Sequence, residues 1–230
     1  MNIQGLYRLT LLDYPGHVAC SIFTGGCNYR CPFCHNASLA TGHTIPAFTE
    51  EEILQFLQTR IGILEGVCVT GGEPTLQPQL PSFLRKIKDM GYLIKLDTNG
   101  SNPILLQSLI KEGLLDYVAM DIKNSPSNYA KSIGLSQYDI GPVLASIKEL
   151  MSSNIDYEFR TTVVRSLHTP QDFEEIAKLI SNCRHYYLQS FVDSGDLIQA
   201  GMTGYSKEEM NSLLMYVRPL IPNVALRGIE

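Results

Sequence analysis

Apolar residues along the chain fall into short runs separated by amphipathic stretches, and the alternation continues from one end to the other. Val18–Phe23 is a short apolar run bounded by Gly16 and Gly25, as a buried strand would be. Thr49 followed three residues later by Glu52 forms a capping-box pattern, and Ile53, Phe56, Leu57 and Ile61 supply the apolar face of the helix it opens. The same reading predicts strands at Gly66–Thr70, Leu93–Thr98, Tyr117–Ile122, Tyr157–Val164 and Tyr186–Phe191. Helices are predicted at Leu80–Met90, Ile104–Glu112, Pro142–Ser152, Gln171–Ser181 and Ser206–Tyr216, with a short apolar tail at Val224–Leu226.

Six strand-then-helix units with short connections imply a parallel sheet with crossover helices, because parallel neighbours need a long return path. Six is fewer than the eight units of a closed barrel. The expected fold is therefore α/β, a partial (β/α)6 barrel of the TIM kind, with a doubly wound sheet left open by the pattern alone. In either case functional groups gather at the C-terminal ends of the strands. No repeat, low-complexity stretch or linker interrupts the chain, so residues 1–230 read as a single domain.

Composition narrows the function classes. Of 230 residues, 44% are hydrophobic, and 18 basic against 23 acidic side chains leave a formal charge of −5. That balance argues against broad electrostatic binding to nucleic acid or to an anionic membrane. The longest apolar runs are too short to span a bilayer. Met1–Arg8 has no basic segment leading into an apolar stretch, so a cytoplasmic location is expected.

Three of the six cysteines, Cys27, Cys31 and Cys34, fall within eight residues, whereas Cys20, Cys68 and Cys183 are scattered. A disulfide framework belongs to small secreted domains without a core, so the cluster reads as a metal site in a reducing compartment and the scattered three as small buried hydrophobes. Zinc needs a fourth ligand, and the adjacent His35 points poorly for one tetrahedron. An iron–sulfur cluster held by three cysteines fits better and leaves one iron open to a small molecule.

The run Cys27-Asn28-Tyr29-Arg30-Cys31-Pro32-Phe33-Cys34 resembles the cysteine signature of the radical S-adenosylmethionine enzymes. The flanks Asp13-Tyr14-Pro15-Gly16, Phe23–Gly26 and His35-Asn36 are similar to the activating enzymes of glycyl-radical proteins. Among these the chain most resembles the activators of anaerobic ribonucleoside-triphosphate reductase, with those of pyruvate formate-lyase close behind. The resemblance implies that Cys27, Cys31 and Cys34 ligate a [4Fe–4S] cluster and that Phe33 and His35 lie against the adenine of S-adenosylmethionine. It implies further that Gly71, Gly72 and Glu73 meet the amino group of that cofactor.

Two glycines after a strand permit close backbone approach, and a carboxylate beside them can accept from an ammonium group. Asp97-Thr98-Asn99-Gly100 and Asp121-Ile122-Lys123 also lie where strands end. By resemblance, Lys123 meets the cofactor carboxylate and Asp97 and Asp121 help hold a monovalent cation. Arg160 interrupts a strand-like run, so an inward-facing charge there needs a partner, and its guanidinium suits a carboxylate. The chain departs from the formate-lyase activators after the sixth strand, where Gln189-Ser190-Phe191-Val192 offers no histidine, so the resemblance assigns no ribose contact there. His17, His43, His168 and His185 read as surface or loop residues.

The resemblance implies an oxidoreductase that receives one electron from reduced flavodoxin or ferredoxin and cleaves S-adenosylmethionine reductively. The resulting 5′-deoxyadenosyl radical takes hydrogen from a glycine of a partner glycyl-radical enzyme, with no role for nucleic acid or membrane. The short chain, without an auxiliary cysteine cluster or capping domain, suits a macromolecular substrate. The rivals are a small-molecule radical enzyme of the 7-carboxy-7-deazaguanine synthase kind and, outside catalysis, an electron carrier or zinc protein.

Overall fold

The structure, a computed structural model, describes residues 1–42 and 45–229. The chain divides into two compact units, one comprising Met1–Asn28, Ser38–Thr98 and Ile104–Ala119, the other Tyr29–Ala37, Asn99–Pro103 and the chain from Met120 onward.

In the first unit, β1 (Ile3–Thr10) runs antiparallel to β2 (Ala19–Thr24), and β2, β3 (Gly66–Gly71) and β4 (Leu93–Thr98) follow in parallel. Asp116 N–H donates to the Ile94 carbonyl at 2.9 Å and leads the chain into β5 (Tyr117–Asp121) beside β4. Register sorts these strands into two faces, because successive side chains alternate. Cys20, Val67 and Ile94 share one row and Ile22, Val69 and Leu96 the next, all fully buried. Ser21, Cys68 and Lys95 form a row on the opposite face, with Phe23 and Thr70 after it.

After the short α1 (Ala37–Thr41) come α2 (Glu50–Gln58), α3 (Leu80–Asp89) and α4 (Pro103–Lys111). The capping box forms as predicted: Glu52 N–H donates to Thr49 Oγ1 at 3.2 Å and Thr49 N–H to Glu52 Oε2 at 2.8 Å. Ile53 and Leu57 of α2, Leu80, Phe83, Leu84 and Ile87 of α3, and Leu106 and Leu109 of α4 are buried. Truncating one of them, such as Ile87→Ala, costs about 2–5 kcal/mol through lost transfer energy and the cavity left behind.

In the second unit, Ile122 N–H donates to the Arg160 carbonyl at 2.8 Å, joining the end of β5 to β6 (Asp156–Val163). β7 (Tyr186–Ser190) and β8 (Val224–Arg227) continue in parallel. Phe159, Tyr186 and Val224 share one buried row, while Arg160, Tyr187 and Ala225 share the alternate face. α5 (Tyr129–Ser132), α6 (Gly141–Ser152), α7 (Pro170–Ile180) and α8 (Lys207–Val217) supply the helical layer. Their buried faces include Val143, Ile147 and Leu150, then Phe173, Ile176 and Ile180, then Met210, Leu213 and Val217.

The strand order is β1 to β8 in sequence. The α/β class and the parallel sheet are as the sequence implies, with two additional strands flanking the predicted six. The N-terminal segment is β1, and the apolar tail is β8. Among the described residues no helix is long and apolar enough to cross a membrane.

Candidate active site

Gly71, Asp97 and Asp121 sit at or near the ends of β3, β4 and β5, whereas Arg160 lies within β6 and the cysteine stretch is a loop. Each unit holds its own group of predicted site residues. In the first unit, the chain leaving β2 is laced to the chain leaving β3. Gly72 N–H donates to the Thr24 carbonyl and Glu73 N–H to the Gly26 carbonyl, each at 2.8 Å. A Cβ on Gly72 would stand 2.1 Å from Gly26 O, and one on Gly71, whose φ is +116°, would stand 2.4 Å from the Thr24 backbone. The close approach these glycines permit in the structure is therefore to the segment just before Cys27. Gln77, which the sequence reading passed over, braces the same segment. Its Nε2 donates to the Gly25 carbonyl at 2.9 Å while its Oε1 accepts from Asn2 N–H at 3.0 Å.

Glu73 is 1% exposed. Its Oε1 accepts from Thr75 N–H at 3.1 Å, Thr75 Oγ1 at 2.6 Å and Thr98 Oγ1 at 2.8 Å. A carboxylate fixed this way keeps one oxygen engaged and its orientation set before any ligand arrives. Asp97 pairs with the buried Lys95 and accepts from Thr70 Oγ1 at 3.1 Å. Thr75 and Lys95 were not singled out from sequence, and Thr98 entered only within the Asp97–Gly100 run, since single threonines and a lysine carry no pattern of their own.

In the second unit, Asp121 bridges two cations. Lys123 Nζ lies 2.8 Å from Oδ2 and Arg160 Nε lies 2.9 Å from Oδ1. The inward charge of Arg160 thus has the partner that its place in a strand demands. Burial alone would raise the Asp121 pKa, but Arg160 and then Lys123 outweigh it and hold the carboxyl well below the usual carboxylate range. Burial alone would lower that of Lys123, yet Asp121, seconded by the nearby Cys31, holds the ammonium well above its ordinary value. His35 is exposed as a residue, and its imidazole is lowered by desolvation and then by the positive charge of Lys123.

Phe33 is buried, and its ring meets that of His168 edge-on at 6.4 Å. His168 lies in the loop between β6 and α7, as the sequence reading allows, but it is buried there and not on the surface. It is 1% exposed, accepts from Val164 N–H at Nδ1 (3.1 Å) and faces the Lys123 carbonyl with Nε2 at 2.9 Å. These partners assign the proton to Nε2. Burial lowers its pKa against the pull of the Lys123 carbonyl and of the Val164 carbonyl, which stands 3.3 Å from Nδ1, so the ring is neutral. His17, by contrast, sits half-buried beside Glu65 at 3.1 Å, His185 is exposed, and His43 lies outside the described residues.

The stretch carrying Cys31, Phe33, Cys34 and His35 is held along its length. Arg30 N–H donates to the Ile133 carbonyl at 2.8 Å, Gln199 N–H to the Pro32 carbonyl at 3.0 Å, and Ser194 Oγ to the His35 carbonyl at 3.0 Å. Tyr29 and Tyr138 join their hydroxyls at 2.6 Å, and the Tyr138 ring stacks on that of Tyr129 at 5.8 Å. On the neighbouring strands, Arg227 grips the fully buried Glu158 with two hydrogen bonds of 2.6 and 2.9 Å and lies 3.7 Å over the Tyr187 ring.

All six cysteines lie outside disulfides. Burial pushes the Cys20 thiol up to about 12 and the Cys183 thiol up to about 11, as inert core cysteines require. Among the described residues, no three His, Cys, Asp or Glu side chains are grouped to hold a single metal ion. Three reduced thiols in one eight-residue stretch are the donor set a cluster with one open iron needs.

Residues 21–180 match the model of the radical SAM superfamily. The chain belongs to that superfamily. Membership makes it an enzyme and implies a [4Fe–4S] cluster with S-adenosylmethionine. A relative from Methanocaldococcus jannaschii, provisionally named as a glycyl-radical enzyme activating enzyme, is 32% identical over 99% of this chain and 96% of its own. The pyruvate formate-lyase-activating enzyme of Clostridium pasteurianum is 26% identical over 92% of this chain and 87% of its own. In fold, the chain is similar to a domain of pyruvate-formate lyase-activating enzyme from Bacteroides vulgatus, with a TM-score of 0.59 at 15% identity, over 71% of this chain and 99% of that one.

Proposed function

We propose that this radical SAM enzyme is an activase that installs a glycyl radical on a partner enzyme, and that the partner is an anaerobic ribonucleoside-triphosphate reductase. The observation that carries the reading is end-to-end likeness to a relative named for glycyl-radical enzyme activation. The activase-like flanks of the cysteine run support it. When bound, the [4Fe–4S] cluster, with flavodoxin or ferredoxin as its reductant, would supply the electron for reductive cleavage of S-adenosylmethionine, the chemistry needed for hydrogen abstraction from a glycine Cα.

The chain's own residues bind and orient. Cys27, Cys31 and Cys34 hold the cluster, and Phe33 and His35 take the adenine. Glu73, with its orientation preset by Thr75 and Thr98, accepts from the cofactor's ammonium group. Lys123 and Arg160 receive its carboxylate, and Asp121 keeps both cations in place and charged meanwhile. Asp97 and Asp121 serve a monovalent cation. The buried, neutral His168 fixes the Lys123 backbone and backs the Phe33 ring.

Electron paramagnetic resonance under strict anaerobiosis tests the choice of partner. The reconstituted chain, reductant and S-adenosylmethionine are mixed separately with an anaerobic ribonucleoside-triphosphate reductase and with a pyruvate formate-lyase. A glycyl radical signal on the reductase that its glycine→alanine variant lacks is the expected result. A signal on the lyase alone reassigns the partner.

A further inference from the structure

Cys68 on β3 and Lys95 on β4 are register partners on the same face of adjacent strands. Cys68 is fully buried, Lys95 is 2% exposed, and Lys95 Nζ lies 3.7 Å from Cys68 Sγ. Asp97, two residues along β4 on the same face, pairs with the ammonium and takes a hydrogen bond from Thr70 Oγ1 at 3.1 Å. A buried ammonium needs its carboxylate, so Asp97 accounts for Lys95. It does not account for a thiol set against the amine.

An amine and a thiol held side by side away from bulk water, with a carboxylate placed to take the amine's proton, are arranged for joining through one oxygen atom. We propose that Cys68 and Lys95 are a modification site at which dioxygen forges a covalent N–O–S bridge between the two strands. The Lys95 ammonium first gives a proton to Asp97. One N–H and the S–H bond then break, and N–O and O–S bonds form around one atom of the dioxygen. The second oxygen leaves as water with the two hydrogens, so dioxygen is reduced while nitrogen and sulfur are oxidised. Four equivalents of an external thiol reverse the bridge, returning amine, thiol and a second water and leaving two disulfides in the reductant.

The neighbouring side chain would feel the bridge. Lys95 loses its charge, and Asp97 loses the cation that now neutralises it. Exposure to oxygen thereby acts on the polar row of β3 and β4 through chemistry separate from damage to an iron–sulfur cluster. The inference stands on this geometry and does not depend on which partner the enzyme activates.

Peptide mass analysis of the reconstituted protein, with one half kept anaerobic and one half exposed to air, tests it. Both halves are alkylated and digested with trypsin without reduction. The bridge blocks cleavage after Lys95 and joins peptide 61–85, which contains Cys68, to peptide 89–111. The expected product in the air-exposed half has the summed mass of the two peptides plus one oxygen and minus two hydrogens. It is absent from the anaerobic half and from air-exposed Cys68→Ser protein. Thiol treatment of the air-exposed half converts it to peptides 61–85, 89–95 and 96–111. Recovery of 61–85 solely unlinked after air exposure, whether alkylated at Cys68 or carrying sulfenic, sulfinic or sulfonic acid there, overturns the proposal.

Discussion

His168 Nε2 lies 2.9 Å from the Lys123 carbonyl oxygen, which ties a buried imidazole to the backbone of the residue assigned to the cofactor carboxylate. The ring is neutral in the fold, with its pKa lowered from the ordinary 6.5 chiefly by burial. An unfolded chain binds a proton at this group more readily than the folded one, so its contribution is present above pH 6.5 and is lost as pH falls toward the folded value. His168→Phe should leave the Lys123 carbonyl and Val164 N–H without partners, costing about 1–3 kcal/mol for each orphaned group. Denaturant titrations of both proteins at neutral and mildly acidic pH should show the difference narrowing in acid. A constant difference across that range would argue against a neutral buried ring.

Asp121 also has a lowered pKa, but there the fold favours the charged form. Its carboxyl is depressed below 3.8 by Arg160 and Lys123, so its stabilisation is complete above that pH and disappears as pH falls further. Asp121→Asn leaves two cations facing each other. The expected loss near neutral pH is about 2–3 kcal/mol, short of the full cost of breaking a buried pair because the three side chains retain some solvent contact. Urea denaturation at pH 7 and pH 3 checks it, with the gap between variant and parent shrinking at the lower pH.

Gly72 and Gly5 make a matched comparison. A Cβ at Gly5 meets Phe23 at an ordinary 3.5 Å, whereas one at Gly72 meets Gly26 O at 2.1 Å, one residue before Cys27. Gly72→Ala should therefore lower both thermal stability and the iron and sulfide retained after anaerobic reconstitution, while Gly5→Ala alters neither by much. A Gly72→Ala protein with full iron content and weakened cofactor binding alone would place the glycine against the cofactor instead of the cysteine stretch.

The cluster assignment predicts about four irons and four sulfides per reconstituted chain. Replacing Cys27, Cys31 or Cys34 by Ala should abolish this, and Cys183→Ala, at an inert core position, should leave it intact. Full iron in the Cys31→Ala protein would remove the assignment.

The strands and helices were legible because their apolar faces repeat with the right periods. Glu52 behind Thr49 announces α2, and Leu93–Thr98 is a strand with the same bounds in sequence and structure. β1 escaped because, at the edge of the sheet, it buries only Ile3, and a strand that is half wet leaves no alternation to read. The cysteine run and Glu73 carry family motifs. Arg160 carried a physical signal, a charge in a buried strand. His168, Gln77, Thr75 and Thr98 left none. The roles of His168 and Gln77 arise from backbone groups distant in sequence, Lys123 and Gly25, and those of Thr75 and Thr98 from the Glu73 carboxylate, and single polar residues look alike until the chain is folded. Lys95 and Cys68 were hidden differently, since only the register of β3 on β4 sets one beside the other.

The central claim is that hydrogen abstraction by this enzyme ends on a protein glycine. The most direct measurement counts 5′-deoxyadenosine formed against glycyl radical spins in the same anaerobic reaction with ribonucleoside-triphosphate reductase. The account predicts that the two rise together at close to one spin per 5′-deoxyadenosine, and that both fall away with the Cys31→Ala protein. Abundant 5′-deoxyadenosine without spins on this or any other glycyl-radical enzyme would contradict it and point to a small-molecule substrate.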